Sequence, residues 1–496
     1  MDSARYIESP FLFEEKAEHG KLSELLAELG GYLDDYLRFE HPDALSNARV
    51  WRAALGGGVP EKGIGAHGVM QDMGHHLIPN GSQIPKPGCT AFITTGATSI
   101  GAVAALASTV ASPQRGTLTA FHYLEEVSLN WMAEMFELPA EVKGVYSSGG
   151  STANLVALGG ARQQAFENAG LDPSRDGVTR PCRIYASKAC HHTIQRSAAV
   201  LGMGRDSVVL IDLDARGRMC PMALEKKLKK DLEEGFLQIA IVANCGATDT
   251  GAIDPLRAIG DIAKTYGVWF HVDGAYGLPG ILDPLIRSQF DGLELIDSVI
   301  VDAHKWLGAP IGIGATFVKD RSILQRAFTQ GAANYFEGAF AYGDAEHSMD
   351  SFGVPYSDFG VELSAPPRGA TVWALIKEIG IEGLRDRVCR HNWMARQVAD
   401  FAAAHENLEV ALEPTLSICC FRYITDQVAD LDELNRRIHR RLVRNGENIP
   451  STTKVDGKVV IRPCFVGART NIRHAEALID EVISVGDQLT QEMSAT

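Results

Sequence analysis

The sequence DAHKWLG at residues 302–308 places Lys305 directly after a short, mostly apolar run at residues 296–301. Such a run, followed by polar residues, is typical of a buried strand. Burial disfavours the ammonium form of a lysine, so we expect Lys305 to be an amine that can attack a carbonyl group. The segment therefore predicts a nucleophilic lysine at the end of a buried strand.

A second apolar run ends in HVDGAY at residues 271–276, and its aspartate, Asp273, lies 32 residues before Lys305 (305 − 273). A carboxylate at the end of a buried strand is costly unless it is paired. A lysine for a Schiff base and an aspartate for a pyridinium nitrogen are the pair that pyridoxal 5′-phosphate (PLP) requires. The alternative is an aspartate in an ion pair within the protein. With Ala275 small enough to lie against a flat ring, the pair predicts a PLP site.

The composition is that of an ordinary globular protein, since 45% of the 496 residues are hydrophobic and 22% are charged. The formal net charge of −15 argues against nucleic acid or an acidic membrane surface as a partner. The nine cysteines have neither C-x-x-C nor metal-ligand spacing, so we expect no metal and a reducing cytoplasm. The sequence predicts neither a secretory signal nor a membrane span.

Three regions differ in pattern. Residues 1–75 combine a leucine-rich helix (21–38) with an irregular glycine-rich stretch (56–68), and we expect this arm to pack against the main body or a second subunit. Residues 76–375 alternate helices with short apolar strands, which predicts a large α/β domain with a mostly parallel seven-stranded sheet and helices on both faces. Residues 376–496 predict a smaller C-terminal α/β domain, with a helix break at Gly380 and with Thr470 as the N-cap of the last helix. The predicted strands of the large sheet are residues 144–147, 183–186, 207–211, 239–243, 268–272, 298–301 and 314–318.

Polar motifs follow several of these strands, where open α/β sheets bind ligands. In SSGGSTAN, residues 147–154, glycines and a helix start could bind phosphate, although a tight turn with a Ser/Thr N-cap explains the same letters. In CHH, residues 190–192, one imidazole could face a ligand, and a capping or surface pair is the alternative. Turn chemistry alone explains Thr248 in GATDTG.

Taken together, HVDGAY, DAHKWLG, SGGSTAN (148–154) and CHH resemble the group II PLP-dependent decarboxylases, which include aromatic-L-amino-acid, glutamate and tyrosine decarboxylases. The resemblance covers residues 85 to 480 approximately, with the motifs in the family's order. It implies an aspartate aminotransferase-like fold of fold-type I, PLP as cofactor, and a cytoplasmic homodimer with its active site near the subunit interface.

The resemblance assigns roles by position. Lys305 is expected to form the Schiff base, Asp273 to contact the pyridinium nitrogen, and His191 to stack on the ring with Ala275 on its other face. Further expected cofactor ligands are Gly150, Ser151 and His304 at the phosphate, and Thr248 near Asp273.

Other positions bear on substrate and reaction. The segment FITTG, residues 92–96, resembles a substrate-side loop and offers Phe92, Thr94 and Thr95. Tyr335 falls where the family has a mobile-loop tyrosine that protonates the substrate carbon, and phenylalanine there marks aldehyde synthases in plant relatives. Two departures are Asp302, where relatives often have asparagine, and SAPPR at residues 364–368, which replaces a more basic segment.

We therefore expect decarboxylation of an L-amino acid to its amine and CO2, with Lys305, Tyr335, His191 and Asp273 as catalytic residues. Phe92 favours an aromatic substrate. The alternatives are an acidic substrate (glutamate or aspartate), oxidative decarboxylation to an aldehyde, another reaction of the same fold, or a catalytically dead PLP-binding regulator. Retention of both Lys305 and Asp273 argues against the last.

Overall fold

The structure, a computed structural model, describes residues 21–41, 44–112, 119–329 and 356–494. The chain divides into two compact units, Met1–Lys86 and Pro87–Thr496. The first unit is helical in its described part, and the predicted helix at 21–38 is confirmed. The stretch 56–68 is not irregular throughout, because a helix begins at Gly65. The helices of this unit are α1 (Leu22–Tyr36), α2 (Ala48–Leu55) and α3 (Gly65–Asp72), followed by a π-helical turn (Met73–Leu77) and a 3₁₀ turn (Ile78–Asn80).

The second unit contains a seven-stranded sheet, as predicted. Its strand order is β2-β8-β7-β6-β5-β3-β4, and only β8 runs antiparallel to its neighbours. Every position of β6, β7 and β8 is buried, which requires cover on both faces of the sheet. The strands, numbered after the short β1 (Cys89–Thr90), are β2 (Lys143–Ser147), β3 (Cys182–Ser187), β4 (Val208–Ile211), β5 (Leu237–Asn244), β6 (Trp269–Asp273), β7 (Ser298–Asp302) and β8 (Gly314–Val318).

Helices precede, connect and follow these strands. The longest of them, Gly369–Ala404, is interrupted at Gly380, whose φ of 64° and ψ of −179° are not helical, so the predicted break is confirmed. None of the helices among the described residues is long and apolar enough to cross a membrane. The helices are α4 (Ser99–Ala111), α5 (Ala120–Met135), α6 (Gly150–Asn168), α7 (Thr193–Val200), α8 (Pro221–Glu233), α9 (Leu256–Tyr266), α10 (Ser322–Phe328) and α11 (Gly369–Ala404).

A second, five-stranded sheet has the order β1-β11-β12-β10-β9. Its β1 comes from the beginning of the second unit and pairs in parallel with β11. A separate apolar core lies between this sheet and three helices, the C-terminal part of α11 and the two helices that follow it. Asn471 rather than Thr470 caps the last helix, because Asn471 Oδ1 accepts from Arg473 N at 3.1 Å, whereas the Thr470 hydroxyl donates to Pro87 O. The remaining elements are β9 (Leu408–Leu412), β10 (Cys420–Tyr423), α12 (Leu431–Asn445), β11 (Ile449–Val455), β12 (Lys458–Arg462) and α13 (Ile472–Ser494). The domain boundaries expected at residues 76 and 376 stay predictions.

Candidate active site

Several of the predicted functional residues lie at one edge of the large sheet. Asp273 and Asp302 are the last residues of the neighbouring parallel strands β6 and β7. Lys305 follows β7 in a tight turn in which its backbone N donates to Asp302 O at 3.1 Å. Asn154 Nδ2 donates both to Asp273 and to Thr193 Oγ1, which lies 2.9 Å from His191 Nδ1, and burial lowers the pKa of His191. His191, Asp273, Asp302 and Lys305 therefore belong to a single site.

Asp273 is a buried carboxylate held by neutral donors. Asn154 Nδ2 donates to its Oδ2 at 3.0 Å, and the backbone N of Ala275 donates to its Oδ1 at 3.2 Å. In the described part of the chain no basic side chain forms an ion pair with it, so the alternative of an internal ion pair is not what the structure has. A buried anion without a cation nearby suits a protonated ring nitrogen.

Asn154 and His271, which form a hydrogen-bonded chain with Asp273, were not identified from the sequence. Asn154 Oδ1 lies 2.8 Å from His271 Nε2, and His271 Nδ1 lies 2.8 Å from Ser298 Oγ. His271 precedes Asp273 by two residues, so both side chains leave β6 on the same face. That spacing was a usable signal, because a histidine in a buried strand needs partners for both ring nitrogens.

Lys305 is not the isolated buried amine that the sequence suggested. Its Nζ lies 3.2 Å from Asp302 Oδ2, and its side chain retains 20% exposure. His304 Nε2 lies 3.8 Å from the same oxygen. The other oxygen of Asp302, Oδ1, is buried and has no hydrogen-bond partner among the described residues. Asp302 thus connects the lysine with the segment expected to bind phosphate.

The beginning of α6 forms a cup suited to an anion. Its N-cap is Gly149, at φ 122°, and no side chain caps the helix. Ser148 Oγ instead lies 2.9 Å from Thr152 Oγ1, so the alternative of a Ser/Thr N-cap does not hold. A Cβ on Gly150 would lie 2.6 Å from Asp302 Oδ2, so glycine is required there. Free amides at the start of a 19-residue helix attract phosphate.

The two adjacent histidines differ as expected. His191 is half-buried and His192 is exposed, with their ring centroids 4.2 Å apart. Thr193 Oγ1 lies 2.9 Å from His191 Nδ1 and fixes the inner ring. Ala275 lies in a small buried cluster with Ala153, Ala157 and Ile300. The structure thus brings a partly buried imidazole and a small apolar residue to the edge that carries Asp273.

The substrate-side segment is fixed by the five-stranded sheet. Phe92 has a left-handed φ of 60° and 67% exposure. Its N donates to Ser451 Oγ at 2.7 Å, and its O accepts from Arg462 Nη1 at 2.8 Å. Arg462 also donates to the carbonyls of Thr248 and Asp249. The arginine, on β12, carried no sequence signal and joins the Phe92 segment to the Thr248 turn.

Thr95 is buried and Thr94 is partly buried beside Phe92. Ser151 is exposed in the first turn of α6. His304 Nδ1 lies 3.0 Å from Ile313 O, which leaves Nε2 toward Asp302. Tyr335, predicted as the proton donor, lies outside the described residues.

A model of the pyridoxal-dependent decarboxylase conserved domain matches residues 53–424, most of the chain. The chain belongs to this family. It is a PLP-dependent amino acid decarboxylase, as the motifs predicted. Among similar proteins, the aromatic-L-amino-acid decarboxylase of Bacillus atrophaeus is 29% identical over 370 residues, or 74% of each chain. The L-2,4-diaminobutyrate decarboxylase of Rhizobium meliloti is 29% identical over 429 residues, 86% of this chain and 83% of that one.

Solved structures support the fold-type I prediction. The crystal structure of Oryza sativa TDC with PLP and tryptamine has a TM-score of 0.85 at 21% identity, over 95% of this chain and 98% of that one. Mouse CSAD has a TM-score of 0.83 at 22% identity, over 94% and 98%. The residues fit the cofactor. Lys305, the buried Asp273 carboxylate with its neutral hydrogen-bond donors, and the start of α6 without a side-chain cap lie at one edge of the sheet.

Proposed function

We propose that this decarboxylase acts on an aromatic L-amino acid and releases the corresponding amine and CO2. The observation that carries the substrate class is that three arginines which contact the segments around Phe92 and Lys305 are bound to backbone carbonyls, two of them buried (Arg462 and Arg387) and one partly buried (Arg469). Arg462 donates to Phe92 O, Arg387 to Leu307 O at 3.1 Å, and Arg469 to Ala97 O at 3.2 Å. A side-chain carboxylate on the substrate would need such a cation for itself.

Phe92 supports an aromatic substrate. Its backbone is held on both sides, by Ser451 and Arg462, and its ring is exposed. A fixed aromatic ring beside Thr94 and Thr95 offers an apolar face with hydroxyl groups at its edge, which suits an aromatic substrate bearing a polar substituent. The similarity to the Bacillus atrophaeus aromatic-L-amino-acid decarboxylase points the same way.

In this proposal each residue has one task. PLP supplies the electron sink for the bond that breaks at the substrate's carboxyl group. Lys305 would carry the cofactor covalently and Asp273 would keep its ring nitrogen protonated. His191 and Ala275 would cover the two faces of the ring. The remaining proposed ligands are Gly150, Ser151 and His304 for the phosphate, and Thr248 beside Asp273.

The choice between amine and aldehyde is assigned to Tyr335, which would donate the proton to the substrate carbon, with His191 as a second proton-transfer group. Phenylacetaldehyde synthase of Arabidopsis thaliana is 28% identical to this chain, so an aldehyde is the rival product. A tyrosine at this position favours protonation and hence the amine.

We further propose that the enzyme is a cytoplasmic homodimer. Helix α4 carries exposed Val103 and Val110, and it begins beside the Lys305 turn, where Thr98 N donates to Gly308 O at 3.0 Å. Ile311, in the same turn region, is 82% exposed. Apolar residues exposed beside an active site are typical of an interface between subunits. The nine free thiols suit a reducing compartment.

Substrate and reaction are tested together. The PLP-loaded enzyme is incubated with each standard amino acid and with 3,4-dihydroxyphenylalanine, and CO2, amine, aldehyde, ammonia and peroxide are measured. We expect CO2 and amine in equal amounts from an aromatic substrate, and an active species of twice the 53.6 kDa chain mass. Release of CO2 mainly from glutamate, aspartate or diaminobutyrate would overturn the substrate class, and aldehyde with peroxide would overturn the reaction.

The covalent role of Lys305 is tested by Lys305→Ala. This substitution should abolish the yellow absorbance of the lysine-bound cofactor and lower the activity at least about 10³-fold, because no other amine can replace Lys305. Lys319→Ala is the matched control, since Lys319 follows the neighbouring strand β8 and its side chain forms an exposed ion pair with Glu141 at 3.8 Å. An unchanged spectrum in Lys305→Ala would exclude Lys305 as the attachment point.

A further inference from the structure

A chain of buried hydrogen bonds lies behind the proposed cofactor site. It runs from Ser298 through His271 and Asn154 to Asp273, with distances of 2.8, 2.8 and 3.0 Å. Asn154 Nδ2 also donates to Thr193 Oγ1 at 3.2 Å. Asn154 is the branch point, since its amide touches His271, Asp273 and Thr193. All the members of this network are at most 8% exposed, so water does not compete for these bonds.

The direction of each bond follows from the protons available. Trp269 Nε1 can only donate, and it donates to Ser298 Oγ at 2.7 Å. The Ser298 hydroxyl proton is then free for His271 Nδ1. Burial lowers the pKa of His271 to about 4, so the neutral ring carries its single proton on Nε2 and donates it to Asn154 Oδ1. The amide orientation is thereby set, with the NH2 group toward the carboxylate.

The second branch of the network runs from Asn154 through Thr193 to His191, the residue proposed to stack on the cofactor ring. Because the Asn154 amide donates to Thr193 Oγ1, the Thr193 hydroxyl proton is directed to His191 Nδ1 at 2.9 Å. The neutral His191 ring then carries its proton on Nε2. One asparagine therefore orients the carboxylate proposed for the ring nitrogen and, through Thr193, the tautomer of the histidine proposed to stack on the ring.

We propose that Asn154 is a positioning residue for this reaction, which holds the Asp273 carboxylate in the orientation that keeps the cofactor ring nitrogen protonated. His271 acts through Asn154 by fixing its amide, and has no separate effect on the ring. The proposal rests on the proposed role of Asp273. Removing the Asn154 donor leaves a buried carboxylate with one hydrogen bond fewer and frees it to rotate away from the ring.

The test uses PLP labelled with ¹⁵N in the ring, bound to the full-length enzyme without substrate. In the wild type we expect the nitrogen chemical shift of a protonated pyridine. In Asn154→Leu, which is similar in size but has no polar atoms, we expect the shift to move toward the unprotonated value while the yellow absorbance remains. With substrate, kcat should fall about 10- to 100-fold, the usual loss when a residue that orients a reactive group by a hydrogen bond is removed. KM should change less than about threefold.

The matched control is Asn392→Leu. Asn392 is fully buried and donates to the buried Asp283 Oδ2 at 2.9 Å, so its substitution removes the same kind of bond from a different aspartate. This variant should lose stability to a similar degree without any change in the ring nitrogen shift. If Asn154→Leu does not fold, Asn154→Ser, which keeps a donor but cannot bridge His271 and Asp273, should shift the nitrogen in the same direction.

The role of His271 is tested by a double-mutant cycle. His271→Leu should reproduce the spectral change of Asn154→Leu, and the double variant should be no worse than Asn154→Leu alone, because both act through the same amide. A ring nitrogen that stays protonated in both Asn154 variants, or additive losses in the double variant, would overturn the proposal. A wild type that binds PLP with a protonated ring but decarboxylates nothing would refute the proposed function and leave Asn154's role standing, whereas a wild type that binds no PLP would refute both.

Discussion

Asp302 is a buried carboxylate that contacts both Lys305 and His304. Its Oδ2 pairs with Lys305 Nζ at 3.2 Å, and its buried Oδ1 has no hydrogen-bond partner among the described residues. A Cβ on Gly150 or on Gly314 would lie 2.6 Å from one of its oxygens, so both glycines make room for it. The carboxylate thus sits below the start of α6, where a second anion is expected.

We predict that Asp302→Asn binds PLP about tenfold more tightly. Two anions a few ångströms apart repel each other even at an effective dielectric constant of about 20, and an amide removes that repulsion. The substitution also removes the ion pair that Lys305 would leave in its proposed role of attaching the cofactor. Titration of the cofactor-free enzyme with PLP, followed by the yellow absorbance, measures the change.

Asp297→Asn is the control for this prediction. Asp297 precedes the opposite end of the same strand, and its Oδ2 accepts from Phe270 N at 2.8 Å. Its substitution should leave PLP affinity unchanged. Weaker or equal binding by Asp302→Asn would mean that the carboxylate helps to hold the cofactor rather than opposing it.

At the scale of residues, the sequence was informative where strand ends converge and uninformative where partners come from afar. Lys305 and Asp273 could be predicted because parallel strands bring their carboxyl ends together. The ion pair of Lys305 with Asp302 could not, since both residues lie in one short motif whose side-chain directions depend on the turn. Arg462 comes from another sheet, about 370 residues from Phe92 in the chain, and local patterns cannot pair residues so far apart.

At the scale of elements, Arg462 on β12 joins the small sheet to the turn after β5 of the large sheet. Its guanidinium donates to the carbonyls of Phe92, Thr248 and Asp249. We predict that Arg462→Lys raises KM for the proposed aromatic substrate about tenfold and changes PLP affinity by less than about threefold. A lysine has one charged nitrogen and cannot reproduce a planar fork that binds three carbonyls, so the Phe92 segment loses its left-handed conformation.

Arg422→Lys is the matched control. Arg422 lies on the neighbouring β10, is also buried, and pairs with Glu409 at 2.6 Å, away from Phe92. Its KM should equal that of the wild type. Steady-state kinetics on both variants decide the matter: an equal rise in KM for the two would point to a general loosening of the small sheet.

The same scale explains which elements the sequence predicted. The strands of the large sheet are short and apolar, and all but β4, which has an exposed and a partly buried position, are mostly buried, so their runs are visible. Strand β11 alternates between buried and exposed positions and contains Pro450, and β9 is only partly buried, so both lack the continuous apolar run used as the signal. The two-residue β1 is too short for any periodicity. Edge and half-exposed strands are set by their partners rather than by their own letters.

At the scale of the whole molecule, buried histidines make stability depend on pH. Burial lowers the pKa of His271 to about 4 and that of His391 to about 3, against an ordinary value of about 6.5. Burial raises the pKa of Asp254 to about 6. Between pH 6.5 and 4, His271 and His391 are therefore protonated in the unfolded chain but not in the folded chain. Asp254 is protonated in the folded chain over the same range, whereas in the unfolded chain it is protonated only at about pH 4.

For these three groups the unfolded state binds about one proton more in that window, so acidification from pH 6.5 to 4 lowers the free energy of unfolding, by about 1.4 kcal/mol per pH unit at most. His391→Gln isolates one histidine, because glutamine can accept from Trp306 Nε1, as His391 Nδ1 does at 2.9 Å, but cannot take up a proton. Urea unfolding midpoints at pH 7, 6 and 5 should fall with pH in the wild type and fall less steeply in the variant. Parallel curves for the two proteins would show that His391 is protonated alike in the folded and unfolded chains.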